Sequence, residues 1–262
     1  MSLIKKGYVE TSGGQLHFRQ RDGGGTPVVL LHQTASSSAM WEAVMKRLDG
    51  AGPLVALDTP GFGGSFDPEG WPDMPQYAAW IGEAIDGLGI DRYHVLGHHT
   101  GACIAAELAV AMPERVASMQ LIGPVPLTAD ERAEFRQHFS EPIGPTPGGE
   151  YLKTTWDYLA GLGADKEILL HHRELLDTAR AYRGRAQAYN SVWDQDWTAL
   201  YERIDCPLLL MCARDDVLWP FFERARQMKP AATAVELTGA NFEPDLDPAG
   251  VAAAVKAFLS NL

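Results

Sequence analysis

Cysteine, positive charge and long apolar runs are all scarce in this chain, and each scarcity excludes something. Only three cysteines occur in 262 residues: Cys103, Cys206 and Cys212. An odd number in apolar contexts argues against a disulfide framework. It points to buried free thiols in a reducing compartment, hence a cytoplasmic location. The longest apolar runs, Pro27 to Leu31 and Pro207 to Met211, are strand-length. A bilayer span needs roughly 20 such residues, so no membrane segment is expected. The first residues, Met1-Ser2-Leu3-Ile4-Lys5-Lys6, lack the apolar core of a signal peptide. Lysine and arginine total 22 against 34 aspartates and glutamates, a formal net charge of -12. That field repels phosphate backbones and disfavours a nucleic-acid partner. No carboxylate or cysteine stands at ligand spacing from a histidine, so neither a metal site nor a cofactor is expected. A small-molecule substrate remains as the expected partner, and the sequence leaves the oligomeric state open.

What is present is ordinary for a globular protein: 46% hydrophobic and 21% charged residues, enough for one α/β domain with or without an added lid. Short β-rich runs alternate with helical patterns, which predicts a mostly parallel sheet with helices on both faces. Strands are expected at Gln15–Arg19, Val28–Leu31, Leu54–Leu57, Tyr93–Leu96, Ala117–Ile122, Leu208–Cys212 and Val235–Leu237. Helices are expected at Ser38–Leu48, Met74–Leu88, Gly101–Ala111 and Val251–Leu259. From about Leu127 to Glu202 the pattern is helical and rich in aromatics, without a strand-like run. The expected division is a core of residues 1–126 and 204–262, with a helical lid at 127–203 over the carboxyl ends of the strands, where open α/β sheets bind ligands.

The central motif is Gly97-His98-His99-Thr100-Gly101, between a strand and a helix. It has the spacing and context of the nucleophile elbow G-x-S-x-G, whose glycines permit a sharp turn that presents the middle side chain above the sheet. Histidine stands where the serine would be. His98 is a common neighbour in that motif and carries little functional weight.

On these residues the chain resembles the α/β-hydrolase superfamily over nearly its whole length. His32-Gln33-Thr34-Ala35-Ser36-Ser37-Ser38 with Trp41 is similar to the oxyanion loop, and Asp58-Thr59-Pro60-Gly61-Phe62-Gly63-Gly64-Ser65 to the D-x-P-G-x-G-x-S turn. Arg214-Asp215-Asp216-Val217-Leu218-Trp219-Pro220 matches the site of the family's acid, with Asp215 the better match and Asp216 the fallback. The resemblance places the family's catalytic histidine at Asn241, and no histidine follows His172. A Ser-His-Asp triad therefore cannot be completed, and acyl-enzyme chemistry by that route is not expected.

An imidazole extends further from the backbone than a hydroxyl, so His99 is expected to reach Asp215 or Asn241 and to serve as general base or water activator. The backbone N–H groups of Thr34 and Thr100 would stabilise an oxyanion. Gln33 and Trp219 are expected at the substrate pocket, with Gln33 as a possible added donor. The substrate class is a small, largely apolar molecule with a carbonyl-type acceptor, and hydrolysis and lyase chemistry both fit. Two other readings stand beside this one: a non-catalytic ligand-binding homologue, and a hydrolase whose nucleophile lies among Ser36 to Ser38. His32 reads as structural. Of the pair His171-His172 at most one faces the pocket, and surface exposure is the expectation.

Overall fold

The computed structural model describes residues 3–262. Met1 and Ser2, on which the expected absence of a leader partly rests, lie outside the described residues. The strands are β1 (Lys5–Thr11), β2 (Gly14–Arg21), β3 (Val28–Leu31), β4 (Leu54–Leu57), β5 (Tyr93–His98), β6 (Val116–Ile122), β7 (Leu208–Ala213) and β8 (Thr233–Leu237). They form one sheet in the order β1-β2-β4-β3-β5-β6-β7-β8. The hairpin β1-β2 joins β4 antiparallel, and every pair from β4 to β8 is parallel.

The helices are α1 (Glu42–Met45), α2 (Met74–Gly87), α3 (Thr100–Ala111), α4 (Ala129–Phe139), α5 (Glu150–Gly161), α6 (Ile168–Arg180), α7 (Tyr182–Asp194), α8 (Trp197–Glu202), α9 (Trp219–Met228), α10 (Glu243–Leu246) and α11 (Pro248–Leu259). Among the described residues no helix is long and apolar enough to cross a membrane.

The strands' period of two builds two cores. Val29, Leu31, Val95, Leu121 and Leu210 point to one face and pack with α2, α3 and α9. Val28, Leu30, Leu96, Ile122 and Met211 point to the other and pack with α1 and α11. Burial on both faces is why the central strands read as unbroken apolar runs rather than alternating ones. This is the α/β-hydrolase fold, as expected.

Differences from the sequence reading have local causes. β1 went unpredicted because only Val9 of its seven residues is buried. The expected helix Ser38–Leu48 is a 3-10 turn at Ser38–Trp41 followed by the single turn α1. The Ser37 hydroxyl and the Asp58 carboxylate hold its first N–H groups, at Ala39 (3.3 Å) and Ser38 (2.6 Å). Cys103 and Cys212 are buried free thiols, whereas Cys206 is only half-buried, just before β7. Between β6 and β7 the chain is helical from α4 to α8, with no strand.

Candidate active site

The sharp turn after β5 is built from close backbone approach. A Cβ on Gly97 would lie 2.3 Å from the Gly101 carbonyl oxygen, and one on Gly101 would lie 2.2 Å from that of Leu31. Only glycine on both sides lets α3 start this close to the sheet. The residue between them takes the strain: His99 has φ 49° and ψ -108°, outside the regions open to ordinary L-residues. Such a conformation costs about 1–3 kcal/mol and persists only where the surroundings enforce it. The same turn frees the N–H of Thr100, the first residue of α3.

The His99 ring lies over Gly123, the residue after β6. A Cβ there would sit 2.2 Å from His99 Cδ2, and φ at Gly123 is +60°. This glycine makes room for an imidazole at the elbow. No spacing rule singled it out.

His99 Nε2 lies 2.7 Å from Asp216 Oδ2. A carboxylate only accepts, so Nε2 carries the proton in this contact, and the tautomer it selects has its lone pair on Nδ1. Asp216 also accepts the Leu218 N–H at Oδ1 (2.6 Å), and its side chain is fully buried. The expected partner, Asp215, is elsewhere. Its carboxylate meets Lys166 (2.6 Å) at the surface and accepts the Ala240 N–H (3.1 Å). The Lys166 contact holds its carboxyl below the usual range. The reason is the turn that follows β7: the Asp216 N–H bonds back to the Ala213 carbonyl (3.2 Å), which swings position 216 inward and 215 outward.

Asn241 does not meet His99 through a hydrogen bond. Its Oδ1 accepts the Val217 N–H (3.2 Å) and its carbonyl accepts Gln33 Nε2 (3.0 Å). It ties the loop after β3 to the turn after β7. The Gln33 amide is committed to that tie rather than free as an added donor. Thr34 is linked to Thr100 by their hydroxyls (2.9 Å) and accepts the Tyr189 hydroxyl at its carbonyl (3.4 Å).

These residues open on a cavity of about 60 Å³, several times the roughly 10–15 Å³ that one water needs. Its floor is Gln33, Thr34, His99, Thr100 and Asn241, and its roof comes from α4 to α7, including Phe135, Tyr158, Arg185 and Trp193. Trp219 does not line it. That ring stacks on Phe222 (5.3 Å) under Arg214 (5.1 Å), and Val217 and Leu218 form the wall instead. The β7–α9 turn places those two residues, not the tryptophan, beside Asp216.

Behind the site lies a second histidine–acid pair that sequence reasoning missed. His98 Nε2 is 3.2 Å from Glu243 Oε2, and both side chains are fully buried. Glu243 Oε1 accepts the Ala213 N–H (3.1 Å). Burial first, and the Asp216 charge second, push the Glu243 carboxyl well up, so it holds its proton. Burial, with His99 and His32 nearby, pushes His98 well down, so it stays neutral. Ligand-type atoms of Cys212, Asp216 and Glu243 converge within 4.8 Å, as do those of His98, His99 and Asp216. The absence of ligand spacing along the chain therefore did not foretell the clustering in space. Burial pushes the Cys212 thiol up as well, and proton-bearing groups are poor cation ligands.

The remaining candidates are structural. His32 Nδ1 donates to the Gln33 carbonyl (2.7 Å) and Nε2 accepts the Thr59 N–H (2.9 Å). Ser36 and Ser37 donate to Glu174 (2.7 Å) and Asp177 (2.8 Å), and Ser38 accepts from Arg19 (2.5 Å). His171, expected at the surface, is buried, stacks on Trp156 at 3.5 Å and bonds its carbonyl, while His172 is exposed.

The fold that carries these features is shared with known proteins. Residues 26–145 match the family described as alpha/beta hydrolase fold. The enol-lactonase from Burkholderia xenovorans superposes with a TM-score of 0.81 at 20% identity, covering 97% of this chain and 100% of that one. The structural likeness shows the α/β-hydrolase fold, and the family match covers the part of the chain that holds the elbow. Fluoroacetate dehalogenase from a Burkholderia species is 25% identical over 91% of this chain and 88% of its own length. The dihydrolipoyllysine-residue acetyltransferase component of the acetoin cleaving system of Cupriavidus necator is 32% identical over 45% of this chain. The matched part is 32% of that relative's length, so this chain spans only about a third of it.

Proposed function

We propose that this protein is an enzyme in which His99, oriented by Asp216, acts as general base on a small organic substrate with a carbonyl-type acceptor. The observation that carries the reading is the 2.7 Å contact of His99 Nε2 with Asp216 at the floor of a cavity, on a strained elbow. In the resting state Nδ1 holds the lone pair. It takes a proton from water, or from the substrate itself, and the imidazolium that forms is stabilised by the buried Asp216 carboxylate. The N–H groups of Thr34 and Thr100 receive the developing oxyanion. Attack by the activated water gives hydrolysis; proton abstraction from substrate gives lyase-type chemistry. Helices α4 to α8 serve as the lid. The likeness to a dehalogenase and an enol-lactonase supports a small organic substrate.

The test is turnover across a panel of small esters, lactones, enol carbonyls and β-keto acids. On a substrate that is turned over, His99→Ala and Asp216→Asn are each expected to lower the rate by about 10²–10⁴. Asp215→Asn is expected to leave it within about twofold of wild type, because its carboxylate points to solvent and Lys166. Full activity in His99→Ala would sink the proposal.

A further inference from the structure

Among the described residues that line the cavity, Arg185 is the one permanent cation. It lies on α7 and is 3% exposed. Its neighbours are all neutral. Nη1 donates to the carbonyls of Glu141 (3.0 Å) and Phe139 (3.4 Å). The guanidinium carbon sits 5.2 Å from the Tyr158 ring centre and 5.0 Å from that of Tyr189. Arg173, Arg180 and Arg224 each hold a carboxylate, but among the described residues none pairs with Arg185. Glu174, which lines the same cavity, is already taken by Arg173 and Ser36. Nε and Nη2 of Arg185 have no hydrogen-bond partner among the described residues. They are not sealed from open space, as Nε of Arg21 and of Arg173 are.

A buried guanidinium is costly unless an anion compensates it. Two carbonyls and two ring faces offset part of that cost and hold the fork in place, leaving one edge with parallel donors. That edge is the shape that grips a carboxylate in two hydrogen bonds. The net charge of -12 disfavours anions at long range, so selection of one requires a local cation of this kind.

We propose that the substrate carries a carboxylate and that Arg185 binds it, as the specificity-determining residue of the cavity. This rests on the reading that the His99 end is where the reaction occurs. Tyr189 links the two ends: its ring stacks on Arg185, and its hydroxyl donates to the carbonyl of Thr34 (3.4 Å). A carboxylate on Arg185 thus stands about one tyrosine side chain away from the oxyanion loop. The reacting group and the anion belong to opposite ends of a short molecule.

Binding separates this proposal from the chemistry. The probes are propionate, benzoate and phenylacetate, each compared with its amide, followed by tryptophan fluorescence since Trp193 lines the cavity. At least one acid is expected to bind the wild-type chain tenfold or more tightly than its amide. Arg185→Gln should reduce that preference below twofold, and Arg185→Lys should retain part of it. His99→Ala should keep the preference intact. If no acid binds better than its amide, or if Arg185→Gln leaves the preference unchanged, the proposal is overturned. The acid–amide comparison in the wild-type chain decides even where a variant fails to fold. Full turnover in His99→Ala with the acid preference retained would defeat the general-base reading alone. Loss of turnover in His99→Ala on a neutral substrate, with no acid preference, would defeat this one alone.

Discussion

Two histidine–acid pairs stand side by side at the end of β5, on consecutive residues, and they differ in exposure and in the state of the acid. His99 and Asp216 meet at 2.7 Å with the ring 13% exposed to the cavity; His98 and Glu243 meet at 3.2 Å with nothing exposed. The rings themselves are 4.3 Å apart. Successive residues leaving a strand point to opposite sides, so the turn sends His99 up to the cavity and His98 down among β7 and α10. The acids follow the same division. Asp216 accepts two hydrogen bonds, which suit an ionised carboxylate, whereas Glu243 faces Asp216 and an apolar core and keeps its proton. The lesson is that a histidine beside a carboxylate is not by itself a catalytic feature. Under the proposed function, access to a cavity and the charge of the acid divide a proton-transfer pair from a buried one.

The sharpest way to break the comparison is to neutralise each acid without changing its shape. Asp216→Asn should lower turnover by about 10²–10⁴, because the imidazolium formed on proton transfer loses its counter-charge and Nε2–H its best acceptor. Glu243→Gln should leave turnover within about threefold, since that group is already neutral. Equal losses from the two substitutions, measured as kcat on one substrate, would dissolve the distinction.

Glu243→Gln also carries a stability signature. A carboxyl whose folded pKa is raised stabilises fully below its unfolded value, about 4.3, and that contribution is lost as pH rises through the folded value. Holding Glu243 protonated therefore costs the wild-type chain up to about 1.4 kcal/mol per pH unit above 4.3. Glutamine has no proton to hold, and its carbonyl still accepts from Ala213. The variant should match wild type near pH 4 and exceed it increasingly as pH rises above that, because the carboxyl is pushed up by burial and the Asp216 charge. Chemical denaturation across that range reads the difference. A gap that does not widen with pH would mean that Glu243 is ionised.

Gly123→Ala breaks the comparison by displacing one ring only. Its Cβ would fall 2.2 Å from His99 Cδ2, at a backbone φ of +60°. A loss of about 1–3 kcal/mol in stability is expected from overpacking and strain. Turnover should fall along with it, as in His99→Ala. Glu243 keeps its hydrogen bond from the Ala213 N–H, so the pH-dependent gain from Glu243→Gln should persist in the double variant. Unchanged turnover in Gly123→Ala would show that the ring position at Gly123 is not the working one.

How much of this was legible in the sequence follows from where each signal is stored. The parallel strands were readable because two-sided burial leaves continuous runs such as Val28–Leu31, and the elbow because Gly97 and Gly101 have no alternative at those approaches. His99 and Thr34 were found as members of those local patterns. Asp216 was reached only as the fallback, since the choice between adjacent aspartates is made by one backbone hydrogen bond, from Asp216 N–H to the Ala213 carbonyl. Glu243 and Gly123 were missed because their importance exists only across the sheet. Their partners, His98 and His99, are far away in sequence, and no spacing records such a contact. Arg185 was missed for a related reason. Whether a helical arginine in the α4–α8 segment points to solvent or into a cavity depends on how five helices settle over the strands.

Asp177 offers a gentler version of the Glu243 experiment and calibrates it. This carboxyl accepts the Ser37 hydroxyl at 2.8 Å and is partly open to solvent, at 20% side-chain exposure. Burial first, then the nearby Glu174 charge, push it up to about 7, against the Ser37 hydrogen bond and Arg173. The sign is the same as for Glu243: the contribution is complete below about 3.9, and is lost as pH rises to the folded value. Asp177→Asn keeps an acceptor for Ser37 and removes the titration. Its advantage over wild type should be nil near pH 4, grow to about 1–2 kcal/mol by pH 7 after discounting for solvent, and then level off. The Glu243→Gln advantage should grow with pH in the same direction. Both curves should rise from pH 4, and a flat curve for either variant would mean that the carboxyl it replaces is ionised in the folded chain.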